Sequence, residues 1–254
     1  MIGGIGERSG QLERQISRPN SASEEEERRI KEVYAGRSVK IKRGFYSFFS
    51  PGSLFIYQER ERRMLDLLTE YGCTSLEQKR ILEVGCGSGV WIRELIKWGA
   101  QPENLVGIDL LPERITRARA LCPTSVAFEI GNAARLRFPS ASFDVILQAT
   151  VFSSILDPEV RTNVAQEMLR TLKPGGSILW YDFFVKRRQN LDVVGIGKKE
   201  ILRLFPKCQV VLQRVTLAPP IARLLAPRSW LLCSFLAEMR LLDTHYVGLI
   251  RPPG

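Results

Sequence analysis

Glu83, Gly85, Gly87, Gly89 and Asp109 are the residues of this chain whose types and spacing suggest chemistry. The run Ile81 to Gly85 is apolar and β-branched with one carboxylate, as in a buried strand. Three glycines at alternate positions follow it, and then an amphipathic helical pattern from Val90 to Trp98. Strand, glycine loop and helix form the opening of a nucleotide-binding βαβ unit. Glycine lets a ligand approach the backbone, and the helix N-terminus behind it offers free N–H groups and partial positive charge. The pattern is G-x-G-x-G with Val90 in sixth place, so it departs from the dinucleotide fingerprint G-x-G-x-x-G/A, and the Gly-Lys-Ser/Thr of a P-loop is absent. Asp109, twenty residues beyond Gly89, ends the next apolar run, where a carboxylate accepts hydrogen bonds from a ribose diol.

The elements needed to position these residues alternate along the chain. A helix is expected from Ser23 to about Ala35, its acidic first turn followed by Arg28 and Arg29. Ile56 to Tyr71 is an amphipathic helix ended by Gly72. Strands are expected at 81–85, 105–109, 126–130, 143–148, 177–184, 210–217 and 245–251, with helices from Val90, Pro112, Asp157-Pro158 and Lys198. Lys173-Pro174-Gly175-Gly176 reads as the turn that ends the Asp157 helix. Strands alternating with helices imply an α/β fold, a doubly wound, mostly parallel sheet covered on both faces. Residues 1–22 are Gly-, Ser- and Arg-rich and are expected to be disordered. Residues 23–72 are expected to form a helical N-terminal extension or lid, 73–254 the main domain, and Pro219–Leu242 a Leu-rich helical lid insertion before the last strand.

From Ile81 to Ile178 the chain resembles the class I S-adenosylmethionine-dependent methyltransferases of the small methyltransferase-domain type. The matching stretches are Leu82–Gly89, Asp109, Gly131-Asn132-Ala133, Phe143-Asp144-Val145-Ile146 and Leu172–Gly176, in that order. The resemblance implies a seven-stranded Rossmann-like sheet and S-adenosyl-L-methionine as cofactor, released as S-adenosyl-L-homocysteine. It also implies roles. Glu83 would accept from the methionine ammonium. Gly85, Cys86, Gly87 and Gly89 would let the backbone approach the cofactor. Asp109 would hold the ribose, Leu110 would pack on the adenine, Asn132 and Ala133 would lie at its edge, and Gln148 would flank the methionine tail.

Methyl transfer from a sulfonium needs alignment above all, and a general base only where the acceptor must lose a proton. Two residues are candidate bases: Asp182, at the end of the fifth strand where an open α/β sheet presents its crevice, and His245, the only histidine. Each also has a structural reading, a capping carboxylate or a packed imidazole. Tyr46, Phe49, Phe152 and Tyr181 are the candidate acceptor contacts. Phe45–Phe49 and Pro219–Leu242 read either as lids over an acceptor pocket or as plain packing; the latter also carries arginines suited to an anionic membrane face.

A formal charge of +10 favours an acidic or phosphorylated partner, and the 44% apolar content is that of a globular chain. Five cysteines, none with C-x-x-C spacing, suggest neither a disulfide framework nor a metal site, and fit a cytoplasmic location. The first expectation is therefore methyl transfer to a small-molecule acceptor, acidic or hydrophobic, with peripheral membrane contact as a further option. The alternatives are an RNA or protein acceptor, with nucleic acid less favoured, and a non-catalytic cofactor-binding module.

Overall fold

The computed structural model describes residues 21–40, 47–185 and 190–253. The segment before residue 21 and Tyr46 lie outside the described residues. Seven strands form one sheet: β1 (Ile81–Val84), β2 (Leu105–Asp109), β3 (Ala127–Ile130), β4 (Phe143–Ala149), β5 (Leu172–Phe183), β6 (Gln209–Leu217) and β7 (Asp243–Arg251). Their order is β3-β2-β1-β4-β5-β7-β6. The first five strands pair in parallel, and β7 runs antiparallel to both β5 and β6. All four residues of β1 and all five of β2 are buried, as strands covered on both faces require.

Each face of the sheet has its own core. On one, Met64 and Leu67 of α2 (Pro51–Glu70), Ile92 and Leu95 of α3 (Val90–Lys97) and Ile115 of α4 (Pro112–Leu121) pack together. On the other, Val164 and Met168 of α5 (Pro158–Thr171) and Ile201 and Leu204 of α6 (Lys198–Leu204) meet Ile146, Phe152 and Trp180, with Ile30 of α1 (Ser21–Lys40) laid against them. A smaller cluster joins Phe55 and Ile56 of α2 to Ala222 of α7 (Pro219–Leu225) and to Cys233 and Ala237 of α8 (Trp230–Met239). Asp157 caps α5, accepting from the backbone N–H groups of Glu159 and Val160.

One element differs from expectation. The Lys173–Gly176 turn is absorbed into the start of β5, which pairs Phe143 with Leu172 and then slips register before Val145 meets Ser177. The bulge absorbs the turn residues, with Gly175 at φ +74°, and an ion pair from Lys173 Nζ to Asp144 Oδ2 at 2.8 Å holds it. The Pro219–Leu242 stretch forms two helices, α7 and α8, on either side of the interruption that Pro227 makes.

The strand order reverses between β1 and β4, so the crevice of an open α/β sheet opens at their C-terminal ends. The glycine loop and the residues after β2 and β4 arrive there.

Candidate cofactor and acceptor site

At that crevice lies a cavity of about 1020 Å³. It sits at the upper end of the ~300–1,000 Å³ range of ligand pockets, room for more than one small ligand.

One end of the cavity is acidic and built by the ends of strands. Gly85 and Gly87 stand at φ +70° and +54°. A side chain at Gly85 would come within 2.4 Å of a Val151 methyl, so the loop and the segment after β4 close on each other only through glycine. Asp109 fixes the loop: its Oδ2 accepts from Gly87 N at 2.8 Å and its Oδ1 from Leu111 N at 2.9 Å. Glu83 is buried on the cavity wall, and its Oε2 has no hydrogen-bond partner among the described residues. Burial, and then the neighbouring Asp109 charge, push its carboxyl well above the usual carboxylate range. A buried carboxyl with an unused oxygen is matched to a cation.

Helix α1, part of the 23–72 segment expected as an extension or lid, closes this end; the residues that seat it were not foreseen. The Glu24–Glu27 run read as complementing the helix dipole; instead, two of its members attach α1 to the domain. Glu26 pairs with Arg29 and accepts from Leu156 N. Burial pushes its carboxyl up, but Arg29 and that N–H outweigh burial and hold it below the ordinary value. Glu27 accepts from Asn132 Nδ2 at 2.9 Å, while Asn132 Oδ1 accepts from Ala134 N at 2.8 Å. Tyr34 meets Ser154 Oγ at 2.7 Å, and Arg114 lies over its ring. The signal that could have exposed this was Ile30 and Tyr34, apolar positions four apart beside the acids.

The other end is aromatic and basic. Arg60 of α2 lies 4.1 Å over the Trp91 ring, with Tyr57 and Tyr181 at 5.2 and 5.4 Å. Its Nε is buried with no hydrogen-bond partner among the described residues. Tyr181 is buried; its hydroxyl meets Thr216 Oγ1 at 2.9 Å, and its ring stacks on His245 at 4.9 Å, with the planes 7° apart. The Thr244 hydroxyl donates to Thr216 O and lies 2.9 Å from His245 Nδ1. With its one proton committed, that hydroxyl accepts from Nδ1–H, which makes Nε2 the basic nitrogen. Beneath the wall, buried Glu59 accepts from Thr216 N and Leu217 N and ties α2 to the end of β6; burial raises its carboxyl despite those bonds.

Thr150 and Thr216, both β-branched, hold φ of +60° and +70° and both line the cavity. Backbone strain of this kind costs about 1–3 kcal/mol per residue and gathers at sites where shape is functional.

The expected site residues divide cleanly. Glu83, Gly85, Cys86, Gly87, Asp109, Leu110, Asn132 and Ala133 share the acidic end, and Tyr181 and His245 share the other. Four expected contacts lie elsewhere. Gly89 packs α3 onto α4; a side chain there would come within 2.7 Å of Cys122 Sγ. Gln148 is fully buried and braces the turn after β4, accepting from Val151 N. Phe152 is buried between Trp180 and Phe205, on the opposite core. Phe49 is 99% exposed before α2. Asp182 is corrected as a candidate base. Its side chain is wholly buried off the cavity, accepting from Ser153 N at 3.1 Å and Phe183 N at 2.9 Å, and burial pushes its carboxyl up to about 7. The alternation of strand residues explains the pair: Tyr181 faces the cavity side and its neighbour Asp182 the other core.

Residues 81–176 match the family described as a methyltransferase domain. The chain carries a class I S-adenosylmethionine-dependent methyltransferase domain. The 2-methyl-6-phytyl-1,4-hydroquinone methyltransferase of Synechocystis is 29% identical over 187 residues, covering 68% of this chain and 55% of that protein. The demethylmenaquinone methyltransferase of Deinococcus radiodurans is 36% identical over 108 residues, 41% of this chain and 43% of that one. The chain thus spans about half the length of the curated relatives it matches. A crystal structure of a Pyrococcus horikoshii protein shares the fold with a TM-score of 0.56 at 18% identity, covering 78% of this chain and 91% of its own. Seen as a methyltransferase domain, the cavity fits its cofactor, S-adenosylmethionine: a cationic, zwitterionic nucleoside meets an unpaired buried carboxyl and a loop that only glycine can form.

Proposed function

We propose that this chain transfers a methyl group from S-adenosylmethionine to a small acidic acceptor that also presents apolar surface. One observation carries this reading: a single cavity with an acidic end and, across Trp91, an arginine–aromatic end. Glu83 takes the methionine ammonium, Asp109 the ribose diol, and the backbone at Gly85–Gly87 the carboxypropyl arm. Leu110, Ala133 and Asn132 line the adenine. The bound cofactor supplies an activated methyl whose transfer is an in-line displacement. The protein's part is to align the acceptor. Arg60, stacked on Trp91, takes an anionic group of the acceptor, and Tyr181 supplies a flat apolar wall. Where the acceptor atom carries a proton, His245 receives it at Nε2. The small-molecule class is supported by the relatives, whose names give quinone-related acceptors.

The test incubates the protein with methyl-labelled cofactor and fractionated cell extract. Label is expected in an anionic small-molecule fraction. Label confined to RNA or protein would overturn the acceptor class, and cofactor binding without label anywhere would favour a non-catalytic module. With the labelled acceptor in hand, His245→Gln is expected to lower kcat by about 100-fold with little change in KM.

A further inference from the structure

Helix α8, Trp-Leu-Leu-Cys-Ser-Phe-Leu-Ala-Glu-Met, is apolar but for Ser234 and Glu238, yet only one side of it is covered. Cys233 and Ala237 face Phe55 and Ile56 of α2. On the opposite side Leu231 is 81% exposed and Phe235 61%. Large apolar side chains left bare in this density on one helix mark a surface that meets another apolar phase. The surface extends beyond α8. Leu224 of α7 and Leu241 just after α8 are also exposed, and Trp230 sits edge-on to Phe55 at 5.1 Å, at the border of the patch. Gly52, near the start of α2, packs against the Arg223 backbone and holds α7 against α2. The charge of this stretch is mainly of one sign. Between Pro219 and Leu242 stand Arg223, Arg228 and Arg240 against a single acid, Glu238, which is paired with Arg63.

We infer that the α7–α8 face docks onto the surface of an anionic lipid bilayer. Exposed leucine and phenylalanine enter the acyl boundary, tryptophan stays at the interface, and Arg228 and Arg240 meet lipid phosphates. A second copy of the chain fits less well: a two-fold contact would set the arginines against each other, with no free acid on α7–α8 to answer them. The chain would lie on the membrane, since no described helix is long and apolar enough to cross one. Pro219 and Arg223 line the cavity, so docking brings the cavity mouth to the lipid. The docking itself stands apart from the methyl-transfer reading.

Sedimentation of the full chain with vesicles tests this. Binding to phosphatidylcholine mixed with phosphatidylglycerol is expected to be at least about tenfold tighter than to phosphatidylcholine alone and to weaken with salt. The double variant Leu231→Glu, Phe235→Glu, at exposed positions, is expected to lose at least about 30-fold in vesicle affinity while its melting temperature and its affinity for S-adenosylmethionine stay unchanged. Failure to bind either vesicle would overturn the inference, as would equal, salt-insensitive binding to both. A dimer by analytical ultracentrifugation that the double variant dissociates, without vesicle binding, would assign the face to a second copy. Cofactor affinity is measured separately, so neither result bears on the donor site.

Discussion

The two ends of the cavity are made in opposite ways. The acidic end is largely backbone and strand termini: a glycine loop, two carboxylates and the turn after β3, drawn from a short span between residues 83 and 133. The arginine–aromatic end is side chains from α2, α3, β5, β6, α7 and β7, separated by up to 185 residues between Arg60 and His245. The first, proposed above to take the cofactor, is fixed by backbone geometry, which few substitutions can reproduce. The second is assembled by packing, so its chemistry can change residue by residue while the fold stays the same.

If this contrast is right, damage to the two ends separates cleanly. The largest effect is expected at Asp109, which ties the glycine loop to the turn after β2. Asp109→Ala should weaken S-adenosylmethionine binding by at least about 100-fold in calorimetry, and a loss of only a few-fold would break the donor assignment. At the other end, Arg60→Met should raise KM for the acceptor by about 30-fold and leave donor affinity within about twofold. A matching fall in donor affinity would mean the two ends are one site. Glu83→Gln is expected to cost about tenfold in donor affinity. It carries a finer mark as well. The carboxyl of Glu83 is raised in the free protein, so binding a cation there expels a proton. Wild-type affinity should therefore climb with pH and its binding enthalpy depend on the buffer, and both dependences should disappear in the variant.

The smallest effect is one of stability, under the acceptor wall. Asp243 is buried near Glu59, and neither of its carboxyl oxygens has a hydrogen-bond partner among the described residues. Burial and that neighbouring acid push it up to about 7. Its unfolded value is near 4, so the stability tied to its protonated form is complete below about pH 4 and is lost as the pH rises through 7. Asp243→Asn keeps the shape and removes the titration. It should gain about 1 kcal/mol at pH 8, nothing at pH 4, in denaturant melts. An equal change at both pH values would locate the effect in packing rather than in charge.

Much of this could be read in the chain. Strand, glycine loop and acid at Gly85–Asp109 are local patterns, because a loop that cradles a ligand with its backbone must be written in consecutive residues. The same holds for Asp157, whose cap is a contact two and three residues away. The errors share a cause. Asp182 was expected at the cavity from its place at the end of β5 and Phe152 from its place after β4, but which core a side chain enters depends on the packing of each face of the sheet. Gln148 and Gly89 have site-like positions and structural contacts.

By itself the sequence determined the parallel α/β sheet, the donor loop and the two carboxylates beside it, since each rests on periodicity or on contacts within a turn. Only the tertiary structure decided the rest: that α1 closes the donor end through Glu26 and Glu27, that Arg60 stacks on Trp91, that His245 rather than Asp182 reaches the cavity, and that one side of α8 is left bare. Those facts depend on contacts between residues tens to hundreds of positions apart, and composition or spacing along the chain carries no record of which distant side chain fills a given space.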